Sequence, residues 1–371
     1  MSEVFDQADA LGPAKILHVY EPTHRLKAIL VVDNVACGPA IGGLRMAPDV
    51  STRECARLAR AMTLKNAAAG LSHGGAKSVL FGDPKMPREQ KEPLIRALAC
   101  ALRGNDEYIF GPDMGTDESC MAWIQDELGG RAVGLPRALG GIPLDELGAT
   151  AWGLSSAVDA AMKQVDFSLD GAHLVIQGFG SVGLHAARFL VEKGAVLVAV
   201  ADSRGAIYHP DGLDLNELIR LKGEGKSVHQ YPEGEKLARD AVVGIACDIW
   251  IPAARPDVVH AGNVGLMDTK LVVQGANIPF TGDAELALHR RGVLVIPDFI
   301  ANAGGVICGA MEYRHMSQSA AFEAITEKVS TNTAEVLERA AQEKIPPRQA
   351  AEAMAVERVK RAMATRRWSI F

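Results

Sequence analysis

Short apolar runs alternate along this chain with stretches in which apolar residues recur every three or four positions. The order of these two patterns differs between a first and a second part of the chain. In the first part, short apolar runs predict strands, and stretches with apolar residues every three or four positions predict helices. The predicted strands lie at 15–20, 26–33, 77–81 and 107–113, and the predicted helices at 51–70, 88–103 and 117–128. The Gly- and Pro-rich stretch from 134 to 144 predicts a linker.

The second part, from Leu147, repeats a strand-then-helix order that is typical of a parallel sheet covered on both faces. Its apolar runs lie at 173–177, 196–201, 248–252, 271–275 and 293–297. Beyond Phe322 the chain has a largely helical pattern. We therefore predict an α/β protein of two domains, of which the second is doubly wound.

The first apolar run of the second part leads directly into a glycine-rich turn and a helix. The turn has the form G-x-G-x-x-G and consists of Gly178, Phe179, Gly180, Ser181, Val182 and Gly183. Such a turn brings a dinucleotide's pyrophosphate to the helix N-terminus, and its third glycine packs helix on strand. The next strand ends in Asp202, about 20 residues further on, where a carboxylate can accept both ribose hydroxyls and repel a 2′-phosphate. Together these features predict NAD as the cofactor.

Two lysines, Lys65 and Lys77, bound a segment that is otherwise small, apolar or glycine. Lys65 is in line with Leu58 and Met62 on the apolar face of the predicted helix, and Lys77 is at the start of the next predicted strand. A lysine in such a position must either extend to solvent or direct its ammonium at an anion. Most lysines lie at protein surfaces, but neither of these has polar neighbours, so we interpret both as functional.

Composition narrows the possible functions. The 371 residues are 48% hydrophobic and 23% charged, with a net charge of −6 and a pI near 6.0. This charge does not favour nucleic-acid binding, and no apolar stretch is long enough for a membrane helix. The six cysteines are scattered without metal-ligand spacing, which predicts free thiols in a reducing compartment and no metal site. The N-terminus lacks an apolar signal region, so we expect a cytoplasmic protein.

Five motifs in order closely resemble the glutamate/leucine/phenylalanine/valine dehydrogenases. They are Met62-Thr-Leu-Lys65-Asn-Ala, Gly74-Gly-Ala-Lys77, Gly111-Pro-Asp113-Met-Gly-Thr116, Gln177-Gly-Phe-Gly-Ser-Val-Gly183 and Asn302-Ala-Gly-Gly-Val306. The resemblance implies a substrate-binding and catalytic domain at 1–140, to which helices from about 335–371 return. It also implies an NAD(P)-binding Rossmann domain at 145–330, with a cleft between the domains. The implied reaction is reversible oxidative deamination of an L-amino acid to a 2-oxo acid and ammonia, usually by a homo-oligomer.

The resemblance also assigns roles to particular residues. Lys65 and Asn302 look like the residues that bind the substrate α-carboxylate. Lys77 looks like the catalytic lysine that shuttles protons and polarises the substrate oxygen. Asp113 looks like the general acid/base, although an Asp before a glycine-containing loop is often a turn cap.

Four further positions receive weaker assignments. Gly42 and Gly43 are expected to let the backbone line the substrate. Thr150 is similar to a family threonine near the nicotinamide carboxamide. Asn277 contacts cofactor or substrate, or caps a strand end; the sequence leaves these alternatives open.

The substrate side chain is expected to be apolar. Glutamate enzymes of the family carry a lysine where this chain has Ile41 and a serine where it appears to have Gly309. A buried γ-carboxylate without a partner would cost several kcal/mol. The expected pocket consists of Ile41, Gly111, Val306 and Gly309, and its two glycines slightly favour an aromatic over a branched aliphatic substrate, with a broad profile.

Two alternatives stay open at this point. The central segment at 207–214 has a glutamate-type sequence, so a glutamate dehydrogenase is one of them. The other is a catalytically inactive relative that binds nucleotide; loss of Lys77 or Asp113 would indicate it, and both residues are present.

Overall fold

The computed structural model describes residues 7–365, and the chain divides into two compact units. The first takes in the chain up to Pro143, Val306–Ala321 and the segment from Glu352 onward. The second consists of Leu144–Gly305 and Phe322–Ala351. The predicted domains divide the chain at other points, because 306–321 group with the first unit and 322–351 with the second. The sequence inferences about residues 1–6 and 366–371 lie outside the described residues.

The first unit contains a five-stranded mixed sheet in the order β1-β2-β4-β3-β5. Its strands are β1 (Lys15–Glu21), β2 (Leu26–Asn34), β3 (Ala40–Ala47), β4 (Gly74–Phe81) and β5 (Tyr108–Pro112). Strands β3, β4 and β5 are parallel, while β2 is antiparallel to both β1 and β4. The carboxyl ends of β3 and β5 therefore meet at one edge.

Helices cover both faces of this sheet. They are α1 (Thr52–Ala68), α2 (Arg88–Ala101) and α3 (Glu118–Leu128). One core packs the sheet against α2 and α3 through residues such as Leu44, Leu80 and Ile95. A smaller core packs the other face against α1 through Val31 and Ala59.

Helix α1 departs from the apolar stripe that the sequence predicts. Its fully buried side includes Cys55, Ala59, Thr63 and Asn66, whereas Leu58, Met62 and Lys65 are only half-buried. Both polar side chains find hydrogen-bond acceptors: Thr63 donates to the Asp33 carboxylate at 2.6 Å, and Asn66 Nδ2 donates to the carbonyl oxygens of Gly74 (2.7 Å) and Ile41 (3.3 Å). Hydropathy alone does not find a face that is attached to a sheet by hydrogen bonds.

The second unit is built on a seven-stranded sheet in the order β12-β11-β10-β6-β7-β8-β9. The strands are β6 (His173–Gln177), β7 (Val196–Asp202), β8 (Gly205–Tyr208), β9 (Glu235–Leu237), β10 (Cys247–Pro252), β11 (Thr269–Val273) and β12 (Leu294–Ile296). Strands β12, β11, β10, β6 and β7 run parallel, and β8 and β9 add an antiparallel edge. This is the doubly wound sheet predicted from the sequence.

The remaining helices follow the second part of the chain and its C-terminal segment. They are α4 (Leu144–Leu147), α5 (Ala149–Ala161), α6 (Ser181–Val191), α7 (Leu215–Gly223), α8 (Gly282–Arg290), α9 (Asp298–Ala301), α10 (Gly304–Tyr313), α11 (Gln318–Glu343) and α12 (Pro347–Thr365). The division between the units falls inside α10, α11 and α12. Among residues 7–365, no helix is both long and apolar enough to cross a lipid bilayer.

Arg348, near the start of α12, attaches this helix to the carboxyl-end side of the second sheet. Its guanidinium donates to Glu285 at 2.5 Å, to Gln274 at 2.8 Å and to Asp298 at 2.9 Å. Both carboxylates are buried, at 7% side-chain exposure each. Removing one partner of such a buried charge group is strongly destabilising, because the other charges stay buried without compensation.

Candidate active site

Lys77 and Asp113 form a buried ion pair in the first unit. Lys77 is the fourth residue of β4, which begins at Gly74, so it lies within the strand and not at its start. Its side chain is 7% exposed, and its ammonium contacts the carboxylate of Asp113, the residue that follows β5. The sequence therefore identified both groups but placed Lys77 too early in its strand.

Gly43 of β3 makes room for this pair, and Gly42 lets β3 lie close to the backbone of β4. A Cβ built on Gly43 would lie 3.0 Å from Lys77 Nζ and 2.9 Å from Asp113 Cβ, so any side chain there would displace one of them. A Cβ on Gly42 would lie 1.8 Å from the carbonyl oxygen of Ala76 in β4. The carbonyl of Gly42 accepts a hydrogen bond from the Tyr108 hydroxyl at 2.9 Å, which fixes this part of the backbone.

Arg45, which sequence reasoning missed, is the second cation beside Asp113. Its Nε lies 3.3 Å from Asp113 Oδ2, and its Nη1 donates to Glu54 at 2.7 Å. Burial by itself would raise the pKa of the Asp113 carboxyl, but the charges of Lys77 and Arg45 outweigh it and hold that pKa below its ordinary value. Arg45 alternates with Gly43 along β3, so period-two spacing was the signal that could have found it.

Lys65 lies in the last turn of α1 and is half-buried. The next residue, Asn66, bonds the strand carbonyls of Gly74 and Ile41 and thereby fixes this end of the helix against β3 and β4. The sequence expectation that Lys65 belongs to the fully buried face is corrected: it lies beside that face, with Leu58 and Met62.

Two predicted pocket residues, Gly111 and Gly309, lie beside Val133, which the sequence did not single out. A Cβ on Gly111 and a Cβ on Gly309 would each lie 3.5 Å from Val133 Cγ2. Val306 precedes Gly309 by three residues on α10, so the two share a helix face. Ile41, buried at 5% exposure, pairs with Ile109 in the sheet, and the Gly42–Phe110 pair separates it from the Gly43–Gly111 pair. Val133 follows a Gly-Gly turn in a loop, where periodicity gives no signal.

Glu312 holds the loop that follows Val133. Its two carboxylate oxygens accept the backbone N–H groups of Leu135 (3.0 Å) and Ile142 (2.9 Å). The side chain is buried, and burial raises the pKa of its carboxyl. An acid within the apolar pattern of α10 was the sequence signal for this contact.

The glycine-rich turn of the second unit has the geometry that a pyrophosphate requires. Gly178 has φ of +101°, and a Cβ on Gly183 would lie 1.9 Å from the Gly178 carbonyl oxygen, so helix and turn are in direct contact. A Cβ on Gly180 would meet no atom of the described residues within 4 Å. Ser181 starts α6 and donates its hydroxyl to the Asp145 carbonyl, and Val182 packs 3.4 Å from the Cβ position of Gly275. These residues fit a dinucleotide: the turn is open, and the first N–H groups of α6 have no side-chain cap.

Asn302, Asn277 and Thr150 gather at the carboxyl end of β11 in the same unit. Asn302 Nδ2 donates to the Gly275 carbonyl (3.2 Å) and to Asn277 Oδ1 (3.0 Å). A Cβ on Gly305 would lie 3.2 Å from the Thr150 hydroxyl. The weak sequence match at Thr150 thus lies beside the Asn302-Ala-Gly-Gly motif.

Asp202 ends β7, as predicted, but its carboxylate is engaged by the protein itself. Oδ1 accepts the Arg204 N–H (2.9 Å) and the Ser227 hydroxyl (2.8 Å). Oδ2 accepts the Val228 N–H (3.0 Å) and the Lys222 ammonium (3.2 Å). Burial raises the pKa of this carboxyl, and these donors lower it to below its ordinary value. The residue is 8% exposed.

Two protein-family models together match most of the chain, one in each of its two main parts. The family model described as Glutamate/Leucine/Phenylalanine/Valine dehydrogenase matches residues 140–367, and the model described as Glu/Leu/Phe/Val dehydrogenase, dimerisation domain, matches residues 16–129.

Three proteins illustrate the similarity. The NADP-specific glutamate dehydrogenase of Saccharolobus shibatae is 35% identical over 90% of this chain and 83% of its own length. The NAD-specific glutamate dehydrogenase of Staphylococcus aureus (strain COL) is 32% identical over 91% and 85%. The crystal structure of hetero-hexameric glutamate dehydrogenase from Thermus thermophilus, in its Leu-bound form, is 30% identical, with a TM-score of 0.84 over 96% of this chain and 91% of that one.

The buried Lys77–Asp113 pair, the open glycine-rich turn and these matches along both units lead to one assignment. The chain belongs to the glutamate/leucine/phenylalanine/valine dehydrogenase family, and is an amino-acid dehydrogenase, an oxidoreductase that acts on CH–NH2 groups with a nicotinamide cofactor.

Proposed function

We propose that this enzyme catalyses the reversible oxidative deamination of an apolar neutral L-amino acid, aromatic or branched-chain, to its 2-oxo acid and ammonia. The observation that carries the proposal is the position of Gly111 and Gly309, where a Cβ on either would lie 3.5 Å from Val133 Cγ2, in the same unit as the Lys77–Asp113 pair. Two glycines facing one aliphatic side chain leave space lined by apolar atoms, which suits an uncharged substrate side chain.

In the proposed reaction Lys65 and Asn302 bind the α-carboxylate. Asp113 takes a proton from the substrate ammonium and passes it to solvent. When bound, a nicotinamide cofactor would supply the acceptor for the hydride that leaves Cα, and the substrate becomes an iminium ion. Asp113, ionised again, takes a proton from the water that attacks the iminium carbon, and Lys77 stabilises the resulting hydroxyl oxygen. Asp113 then returns this proton to the nitrogen, and the C–N bond breaks as the hydroxyl gives its proton to solvent, which releases ammonia and the 2-oxo acid.

Glutamate is the second candidate substrate, because the curated relatives above are named glutamate dehydrogenases. The physical argument against it is Ile41, which is buried beside Ile109 and offers no charge to a γ-carboxylate. Desolvating that carboxylate without a partner costs several kcal/mol, equivalent to roughly 100-fold or more in kcat/KM.

A panel of L-amino acids tests the substrate proposal, with cofactor reduction followed for each. We expect leucine, valine, methionine and phenylalanine to exceed glutamate in kcat/KM by at least roughly 100-fold. The paired substitutions Ile41→Lys and Gly309→Ser should raise glutamate turnover and lower that of the apolar substrates. Gly309→Ala is the matched control, since it narrows the space without adding a polar group. A wild-type preference for glutamate would refute the proposal.

Three further expectations belong to the same proposal. NAD is a cofactor, and the glycine-rich turn at Gly178–Gly183 binds it. A homo-oligomer is the expected assembly, supported by the match of 16–129 to a dimerisation-domain model. The cytoplasm is the expected location, since the free cysteines suit a reducing compartment.

A further inference from the structure

The nucleotide end of the cofactor site differs from what the sequence predicts. In a dinucleotide-binding unit, an acid at the end of the second parallel strand can select NAD, because its free oxygens accept hydrogen bonds from the ribose and its charge repels a 2′-phosphate. Asp202 occupies this position at the end of β7. The question is whether its oxygens and its charge are available to a ligand.

The oxygens of Asp202 are already used. A carboxylate has about four lone-pair sites, and the donors of Arg204, Ser227, Val228 and Lys222 supply four hydrogen bonds between 2.8 and 3.2 Å. Ser227 is itself buried at 4% exposure. Asp202 thus fastens the segment after α7 to the end of β7, and a ribose hydroxyl would have to displace one of these donors.

The charge of Asp202 is also compensated. Lys222, in the last turn of α7, forms an ion pair with it at 3.2 Å. Arg204, two residues beyond Asp202, is exposed and donates its Nη2 to the Gly225 carbonyl at 2.8 Å. The three side chains together carry one net positive charge, so they attract an added phosphate and do not repel it.

We propose that Asp202 is a framework residue that does not select between cofactors, and that the enzyme binds NADP as well as NAD, with Arg204 and Lys222 favouring the 2′-phosphate. This inference rests on the proposed use of a nicotinamide cofactor and specifies the nucleotide end of that same site. On this proposal, Arg204 and Lys222 determine the choice between NAD and NADP, and Asp202 does not.

Cofactor binding, measured without substrate, tests the inference separately from turnover. We expect titrations with NADPH and NADH, followed by nicotinamide fluorescence, to give dissociation constants within about tenfold of each other. We also expect 2′,5′-ADP to displace NADH better than 5′-AMP does. NADH binding with NADPH more than about 100-fold weaker would overturn this inference and leave the proposed function intact. Failure of both cofactors to bind would count against the proposed function itself.

Single substitutions identify the residues responsible. Lys222→Met and Arg204→Met should each weaken NADPH binding by about tenfold or more, and change NADH binding by less than about threefold. Lys226→Met is the matched control, because Lys226 is a nearby exposed cation that pairs with Glu224 at 2.8 Å; it should change neither. Equal losses for NADH and NADPH in both cation variants would contradict the assignment.

Asp202→Asn separates a framework role from a ribose-binding role. A framework role predicts a lower melting temperature and an NADH dissociation constant within about threefold of wild type. A folded Asp202→Asn variant that loses tenfold or more in NADH affinity would show that the carboxylate binds the ribose, and would overturn the proposal.

Discussion

At the scale of single residues, two cations approach the same carboxylate oxygen of Asp113 and lower its pKa. Lys77 contacts Oδ2 from β4, and Arg45 approaches it from β3 at 3.3 Å while Glu54 holds the far side of the guanidinium. Arg45 therefore helps to keep the Asp113 carboxyl ionised and fixes its direction. This is a positioning role, since nothing requires Arg45 to touch the substrate.

Arg45→Met should move the acid limb of the kcat/KM profile to higher pH. Without the Arg45 charge the pKa of Asp113 rises, so at a given acidic pH a smaller fraction of the carboxyl is ionised and able to accept a proton. The measurement is a pH–rate profile of deamination. Glu54→Gln is the control, because it removes the negative charge beside Arg45 but leaves the Arg45 charge beside Asp113. An unchanged acid limb in a folded Arg45→Met variant would contradict this role.

At the scale of elements, the sequence predicts each type of element well and their buried sides less well. The strands near 15, 26 and 107 and the helix that starts after Ser51 lie where the pattern places them, and Ser51 accepts the Glu54 N–H as an N-cap. The pattern failed where buried polar side chains donate hydrogen bonds inside the fold. Thr63 and Asn66 lie on the sheet-facing side of α1 because Asp33 and strand carbonyls bind them, and no local rule reports those partners.

The same limit applies to the site. Lys77, Asp113 and the glycine-rich turn were recognisable because each belongs to a short motif. Arg45, Val133 and Glu312 act through partners that are distant in sequence: the Glu312 carboxylate meets N–H groups 177 and 170 positions away. For Asp202 the motif was right about the strand end, whereas Lys222, Ser227 and Val228, which donate to its carboxylate, are 20, 25 and 26 residues further on.

Glu312→Ala should destabilise the protein by about 1–3 kcal/mol for each of the two buried N–H groups that lose their acceptor. Glu312→Gln should cost less, because one carbonyl oxygen remains. Urea unfolding measures both, with Glu323→Gln, on the exposed side of α11, as the control. A Glu312→Ala variant within about 0.5 kcal/mol of wild type would mean that the loop is held in another way.

At the scale of the whole molecule, the groups that we propose for proton transfer and those that we propose for cofactor binding belong to different units. Lys77 and Asp113 lie in the first, and the turn at Gly178–Gly183 lies in the second. Each unit has its own core, so damage to one set of groups should leave the other functional.

Lys77→Ala should therefore abolish turnover, by a factor of about 1,000 or more, and leave the NADH dissociation constant within about twofold of wild type. Steady-state deamination and fluorescence titration on the same preparation give the two values. Lys85→Ala, an exposed lysine of the first unit, is the control for loss of positive charge. Retained turnover in Lys77→Ala would remove this lysine from the mechanism.

The attachment of Arg348 to Glu285, Gln274 and Asp298 has a consequence for gene fusion and domain exchange. A nucleotide-binding cassette excised as the continuous stretch Leu144–Gly305 would lack Phe322–Ala351, and with it the Arg348 guanidinium that contacts all three side chains. The buried carboxylates of Glu285 and Asp298 would then lose their ion pairs with Arg348. A working transplant must carry both segments, so recombination points placed before Phe322 separate parts that the fold requires together.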